Sequence, residues 1–146
     1  MREILFRGKR VDNGEWVNGY FIKANHHWHE HGVHEDWIAV DTIQNGGWCN
    51  VRCKYAVIPE TIGQYAGLTD KNGTKIFEGD IITAEIYERE YEDEYLSNTP
   101  IQVTYCSGYF YPFHLEGCWR SGVSNITVIG NTYDNPELLK ESDNDE

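Results

Sequence analysis

The chain has 146 residues, and its 24 acidic and 12 basic residues give a formal net charge of −12. A net negative field repels phosphate backbones, which argues against general binding to nucleic acids or anionic membranes. Aromatic residues make up 14% of the chain and 14 glycines are spread along it, a composition typical of strands and turns rather than of long helices. We therefore expect a single domain of mainly β structure.

The first residues, Met1 to Arg7, place a charge within every short apolar stretch. This pattern lacks the apolar core of a signal peptide, and no later run is long enough to span a bilayer. We expect a cytoplasmic protein without membrane contact. Cysteines in that compartment stay reduced and usually behave as small buried hydrophobes, which is the expectation for Cys49, Cys53, Cys106 and Cys118.

Two antiparallel strands are predicted at the N-terminus. Residues 3–9 alternate between the two faces of a strand, and Asp12-Asn13-Gly14 is a strong signal for a hairpin turn. The second strand covers about residues 15–23, where Asn18-Gly19 predicts a bulge. Later strands are predicted at 37–43, 51–58, 101–106, 109–115 and 126–129.

The stretch over residues 57–82 predicts short elements joined by tight turns. Pro59 and the Thr61-x-x-Gln64 spacing favour one capped helical turn. Asp70-Lys71-Asn72-Gly73 predicts a type I turn with a left-handed glycine, between a strand near 65–68 and another at 75–77. Glu78 and Asp80 could form a carboxylate pair for acid–base chemistry, but the intervening Gly79 favours a turn whose side chains bond to the backbone.

A second short helix is predicted at Asn135-Pro136, with asparagine as its cap and proline at its first position. Residues 84–96 are ambiguous, because Tyr87, Tyr91 and Tyr95 are four apart and this spacing suits both a helix face and one side of a strand. Their many acidic neighbours favour a solvated arm.

Five motifs follow one another along most of the chain: Arg2–Gly8, Gly14–Tyr20, Pro59–Leu68, Asp70–Ile81 and Val128–Leu139. Together they resemble the YopX family of bacteriophage and prophage proteins. The resemblance implies a β-barrel-like domain of antiparallel hairpins with one or two short helices, here assigned to residues 1–140. It does not imply an enzyme activity, because the family has no established one. Residues 141–146 are assigned to an acidic disordered tail.

Five of the six histidines lie within residues 26–34. In an extended segment, His27, His29 and His31 would point the same way about 7 Å apart, and neutral imidazoles at that spacing can share a zinc, nickel or copper ion. A loop without rigid flanks or supporting hydrogen bonds is a poor metal site, however. We expect no cofactor, and a divalent transition metal at these three residues is the alternative.

Two further surfaces are candidates for binding. One is the basic N-terminal hairpin with Arg2, Arg7, Lys9 and Arg10, which could present cations and aromatic rings to single-stranded nucleic acid. The other is the acidic arm with Tyr87, Tyr91 and Tyr95, which could contact a basic partner or a second copy of the chain.

No catalytic motif is recognisable, so we expect a phage or prophage accessory protein that is not an enzyme. The excess of tyrosine and tryptophan, residue types enriched at interfaces, favours a module that binds a host or phage protein, or another copy of itself. Nucleic acid is a less favoured partner because of the net charge. A nucleic-acid-associated role of the basic hairpin and a metal-binding role of the histidine segment are the alternative functions.

Overall fold

The structure, a computed structural model, describes residues 3–23, 36–43, 50–90, 93–97, 99–113 and 121–140. The fold is mainly β, as predicted, with antiparallel pairing between the strands. The strands are β1 (Phe6–Lys9), β2 (Trp16–Ile22), β3 (Asp36–Ile43), β4 (Asn50–Val57), β5 (Gly63–Thr69), β6 (Lys75–Phe77), β7 (Asp80–Glu90), β8 (Asp93–Ser97), β9 (Ile101–Gln102), β10 (Thr104–Cys106), β11 (Tyr109–Tyr111) and β12 (Ser121–Asn131).

Two short 3₁₀ helices lie where the proline signals predicted them, at Pro59–Thr61 and Pro136–Leu139. The predicted caps are wrong: Thr61 ends the first helix instead of capping a turn, and Asn135 precedes the second without a side-chain cap hydrogen bond. Contacts divide the chain into an N-terminal unit, Met1–Tyr65, and a C-terminal unit, Ala66–Glu146. The assignment of residues 1–140 to one domain stays a prediction, because contacts do not measure independent folding. The predicted disordered tail, residues 141–146, lies outside the described residues.

The N-terminal unit is built on an antiparallel sheet in the order β4-β3-β2-β1, and β1 also pairs with the start of β5. The predicted hairpin of β1 and β2 is confirmed, with Phe6 opposite Gly19 and Lys9 opposite Trp16. β3 and β4 pair along their whole length. The predicted strands at 37–43 and 51–58 therefore form one long hairpin.

The expectation of a β-barrel is wrong. Closure requires a continuous ladder between the first and last strands, but in the described part of the chain β4 returns to β1 only through an isolated bridge between Arg10 and Val57. Two hydrogen bonds flank this bridge: Val11 N–H donates to the Ala56 carbonyl at 3.0 Å, and Ile58 N–H donates to the Lys9 carbonyl at 2.8 Å. The sheet is strongly curled without being closed.

The inner face of the curled sheet carries the apolar side chains of the N-terminal unit. Ile38 and Val57 are fully buried, and the rings of Phe6 and Phe21 lie 5.5 Å apart. Gly8 is required here, because a Cβ atom on this residue would lie 2.8 Å from the Cβ of Val57. Such contacts explain why this face of β1 to β4 excludes water.

The bulge predicted at Asn18-Gly19 is absent from the pairing of β1 with β2, whose register runs without a shift from Trp16 to Gly19. Gly19 has a different role. A Cβ atom there would lie 2.1 Å from the backbone oxygen of Ala39, so the glycine permits the close approach of β2 and β3. Close approach is the second common reason for a glycine inside a strand.

The C-terminal unit has its own sheet, in which β7 pairs with β12 on one side and with β8 and β9 on the other. β6 lies beside β5, and β10 and β11 form a separate hairpin. Buried aliphatic and aromatic side chains form the core of this unit: Ala66, Ile76, Ile82, Ala84, Ile86, Val103, Phe110, Phe113 and Val123. No helix among the described residues is long and apolar enough to cross a membrane.

The turn predicted at Asp70–Gly73 is confirmed, and Asp70 holds it together. One carboxylate oxygen accepts hydrogen bonds from the N–H groups of Asn72 at 2.8 Å and Thr74 at 2.9 Å, and the other accepts from Val128 N–H in β12 at 3.1 Å. Gly73 takes the left-handed conformation, with φ at +82°. The carboxylate therefore ties the turn between β5 and β6 to the β12 strand.

The environment of Asp70 favours its ionised form. Burial acts to raise the pKa of this carboxyl, but the backbone hydrogen bonds from Val128, Thr74 and Asn72 outweigh it and hold the pKa below its ordinary value. Asp80 is used in a similar way, since its carboxylate is buried and accepts a hydrogen bond from Phe77 N–H at 2.8 Å. The turn interpretation of Glu78-Gly79-Asp80 is thus the one that the structure supports.

Asp70→Asn should lower the free energy of unfolding at neutral pH by about 2 kcal/mol, because an amide NH₂ would face a backbone donor that the carboxylate now satisfies. A carboxyl whose pKa is depressed in the folded state stabilises above its ordinary pKa and loses this effect as the pH falls through the folded value. The difference between wild type and Asp70→Asn in urea unfolding should therefore shrink below about pH 4.

The matched control is Asp134→Asn, which makes the same change at an exposed position of the C-terminal unit. We expect this variant to unfold close to wild type. A pH-independent difference for Asp70→Asn would show that the ionised carboxylate is not what stabilises the turn.

Candidate functional site

The outer face of the N-terminal sheet carries cations and aromatic rings. Residues directly opposite in an antiparallel pair share a face, and Lys9 lies opposite Trp16 while Tyr20 lies opposite Ala39, which lies opposite Lys54. Alternation along each strand then adds Arg7 in β1 and Trp37 in β3. We call this surface the cation–aromatic face: Arg7, Lys9, Trp16, Tyr20, Trp37 and Lys54.

The indole rings of this face hold the cationic groups in fixed places. The guanidinium carbon of Arg7 lies 4.7 Å from the centre of the Trp16 ring, and the Lys9 ammonium lies 5.9 Å from it. At the other end of the face, the Lys54 ammonium lies 4.6 Å from the Trp37 ring. These distances are within the range of cation–π attraction, so each tryptophan positions one or two positive charges at the surface.

Tyr20 lies in β2 between these two groups and is 52% exposed. It is four residues from Trp16 on the same strand, and Ile22 beyond it is 46% exposed. An exposed ring of this kind is a flat apolar surface beside fixed cations. The face therefore combines positive charge with an accessible aromatic platform.

Arg10, which follows Lys9 in the chain, forms an ion pair with Asp12. Its guanidinium donates hydrogen bonds to both carboxylate oxygens of Asp12, at 2.9 and 2.6 Å, and lies 4.0 Å from a carboxylate oxygen of Glu15. The hydrogen bond to Asp12 is the main cause that raises the pKa of Arg10 above its ordinary value, and the same contact lowers the pKa of Asp12. Its positive charge is therefore balanced locally.

The two units differ strongly in charge. Residues 1–65 have seven basic and eight acidic side chains, a net charge of −1, whereas residues 66–146 have five basic and 16 acidic side chains, a net charge of −11. Almost all of the net negative charge of the chain thus belongs to the C-terminal unit. The cation–aromatic face lies on the unit that is close to neutral.

A second exposed surface is the tyrosine hairpin, which we define as residues 104–111 in β10 and β11. Its turn residues Ser107 and Gly108 both have positive φ, 51° and 90°, as in the two-residue turns that match the twist of paired strands. Phe110 is buried in the core, while Tyr105, Tyr109 and Tyr111 are 41–49% exposed. Phe110 thus anchors the hairpin, with Tyr105 opposite it on the same face and Tyr109 and Tyr111 on the other face.

A family model described as YopX protein matches residues 5–140. The chain belongs to the YopX family. A comparison with curated proteins gives no match. Among solved structures, the chain is similar to that of the crystal structure of protein EF1440 from Enterococcus faecalis, with 21% sequence identity, coverage of 95% of this chain and 99% of that chain, and a TM-score of 0.49.

In this YopX-family chain, several residues proposed from the sequence lie outside the described part: Arg2, His27, His29, His31 and Tyr91. The metal site at the three histidines therefore stays an alternative that the geometry does not test. Arg7 and Lys9 belong to the cation–aromatic face. Arg10 was proposed with them, but its charge is balanced by Asp12.

The acidic arm is a β-hairpin in its described residues, formed by β7 and β8. Tyr87 lies opposite Leu96 and Tyr95 lies opposite Glu88. The chain reverses between the two tyrosines, so they belong to different strands and do not form one row along a helix or strand. The four-residue spacing of the tyrosines, which made this segment ambiguous, thus spans a chain reversal and does not mark one face of a helix or strand.

The cysteines follow the expectation only in part. Among the described residues, Cys53 and Cys106 are not in a disulfide; Cys106 is exposed and Cys53 only half-buried. The expectation of burial is therefore wrong for Cys106, which lies in the short β10 strand on the face that points away from the core. Cys49 and Cys118 lie outside the described residues.

Sequence reasoning did not single out Trp37, Lys54 or the tyrosine hairpin. The hairpin had a usable signal, because Tyr109-Phe110-Tyr111 alternates and a strand was predicted there, so a buried Phe110 implies two exposed tyrosines. Lys54 had none. Its place over Trp37 depends on the register of β3 against β4, which the alternating pattern of the two strands does not specify.

The contact between Lys54 and Trp37 can be measured by a double-mutant cycle with Lys54→Met and Trp37→Leu. We expect a coupling energy of about 0.5–1 kcal/mol in urea unfolding, because this is the usual strength of an exposed cation–π pair. The same cycle with Lys140→Met in place of Lys54→Met is the control and should give no coupling. A coupling near zero for the first pair would contradict the role of Trp37 in positioning the cation.

Proposed function

We propose that this YopX-family chain is a phage or prophage accessory protein that acts in the cytoplasm of a bacterial host as a protein-interaction module and not as an enzyme. The tyrosine hairpin is its contact surface. The observation that carries this proposal is the exposure of Tyr105, Tyr109 and Tyr111 on a hairpin whose Phe110 is buried in the core.

The hairpin suits binding because a buried ring anchors it while its tyrosines are exposed. The Tyr105 ring packs against the Phe110 ring at 4.9 Å, so ordering this tyrosine on binding costs little additional entropy. Tyrosine provides a large apolar area together with a hydroxyl group and is enriched among the residues that dominate binding energy. The net charge of −11 on the surrounding unit favours a partner with a basic surface.

The buried polar residues support the part of this proposal that the chain is not an enzyme. Within the described part of the chain, the buried polar or charged side chains are Thr61, Asp70 and Asp80. Each of the three bonds to backbone groups, either of its own turn or of the strands β1 and β12. Their polar atoms stabilise the fold, which leaves them poorly suited to acid–base chemistry on a substrate.

The test is capture of partners from a lysate of the bacterial host by the tagged chain, with and without nuclease, followed by mass spectrometry. A protein partner should be retained after nuclease treatment. Tyr109→Ser combined with Tyr111→Ser should abolish its capture, because the variant removes two exposed rings without changing the buried Phe110. A second copy of the chain would appear as a dimer in light scattering, and the same variant should dissociate it.

Tyr133→Ser is the matched control, since Tyr133 is 45% exposed in the same unit but lies outside the hairpin. Thermal unfolding should confirm that all variants remain folded. Capture that survives in the double hairpin variant, or that disappears with nuclease, would refute the proposed contact surface.

We further propose that the chain works without a metal cofactor. Equimolar zinc or nickel at neutral pH should leave the melting temperature unchanged, because a ligand that binds only the folded state must raise it. The control is a variant with His27, His29 and His31 replaced by alanine, which should melt like wild type with and without metal. A rise in melting temperature that this triple variant abolishes would establish the histidine site instead.

A further inference from the structure

The cation–aromatic face has the composition of a surface that binds a flexible polyanion. Arg7, Lys9 and Lys54 place three positive charges on it, and Tyr20 adds an exposed ring. Alternation along β3 also assigns Asp41 to a position on this face, opposite Arg52 in the register.

We propose that the cation–aromatic face binds single-stranded nucleic acid. The sheet face is open at Tyr20, so an unstacked base can lie flat on its ring. The guanidinium carbon of Arg7 lies 4.7 Å from the centre of the Trp16 ring, and a guanidinium plane can be a second platform for a base. Lys9 and Lys54 lie on either side of the Tyr20 strand and contact the phosphates.

The cations are held in place before the ligand arrives. A lysine on an open surface loses side-chain entropy when it binds a phosphate. Here the ammonium groups of Lys9 and Lys54 already rest on Trp16 and Trp37, so part of that cost is met in the free protein. The tryptophans are positioning residues, and Tyr20 contacts the ligand.

The net charge of −12 opposes the binding of a polyanion at this site less than it would if the charge were spread evenly over the protein. The N-terminal unit has a net charge of −1, and the field of an exposed charge is screened over about 8 Å at physiological ionic strength. The charges on the face itself, among them Arg7, Lys9 and Lys54, therefore weigh most in the local interaction. A single strand fits better than a duplex, because the bases of a duplex are stacked and paired and cannot reach Tyr20.

Binding should be measured by fluorescence anisotropy with a labelled oligothymidylate of about 20 nucleotides, at increasing salt. We expect binding at about 50 mM salt, with a slope of log affinity against log salt near −2 for three phosphate contacts. A duplex of equal length should bind at least about tenfold more weakly, because it offers no unstacked base.

Two variants assign the binding to this face. Tyr20→Ala should weaken it about fivefold or more through loss of stacking, with the salt slope unchanged. Lys54→Glu should weaken it and also make the slope less steep by roughly one phosphate contact. The matched controls are Tyr133→Ala and Lys140→Glu, which make the same changes on the C-terminal unit and should bind like wild type.

Three outcomes would overturn the proposal. One is no anisotropy change at about 0.1 mM protein, the weak end of non-specific affinity. Another is equal loss of binding in Lys54→Glu and Lys140→Glu, which would mean that only net charge matters. The third is salt-sensitive self-association, abolished by Lys54→Glu, without oligonucleotide binding, which would identify an acidic segment of a second copy as the occupant.

Discussion

The contact between Gly8 and Val57 determines the shape of the N-terminal unit. A Cβ atom on Gly8 would lie 2.8 Å from the Cβ of Val57, so the two strand ends meet only because residue 8 has no side chain. This contact accompanies the isolated bridge between Arg10 and Val57 and keeps the sheet curled. The curl places Ile38, Phe6 and Phe21 inside, and because strand residues alternate, it leaves the cations and tryptophans outside.

The C-terminal unit depends on charge-assisted hydrogen bonds at its turns. Asp70 and Asp80 are buried carboxylates, and backbone N–H groups satisfy them. A buried ionised group without such donors would be strongly destabilising. Since these donors belong to β12 and to the residues that enter β6, the turns fix where those strands lie relative to the core. The tyrosine hairpin is anchored in the same core through Phe110.

Local signals predicted the elements that depend on local chemistry. Asp12-Asn13-Gly14 and Asp70–Gly73 specify turns through glycine conformation and side-chain hydrogen bonds, and both hairpins follow. The barrel expectation failed because closure depends on how strand ends meet across the sheet, and here one bridge replaces a ladder. Residues 84–96 were ambiguous because a period of four does not distinguish a helix from a strand.

The candidate site was predictable only where it follows from one strand or hairpin. Arg7 and Lys9 were found because they share a short strand with alternating residues. Trp37 and Lys54 join them through two further strand pairings, β2 with β3 and β3 with β4, which no local pattern specifies. Arg10 is the converse case. It follows Lys9 in the sequence, but Asp12 balances its charge, which is visible only from the hydrogen bonds.

Net charge is a poor guide to this molecule because the charge is not evenly distributed. The −12 of the whole chain argued against any polyanion as partner, yet −11 of it belongs to the C-terminal unit. Steering by a protein field depends on the charges near the binding surface more than on the total. The two surfaces proposed above follow this division of charge: the proposed protein contact lies on the acidic unit, and the proposed nucleic-acid contact lies on the near-neutral one.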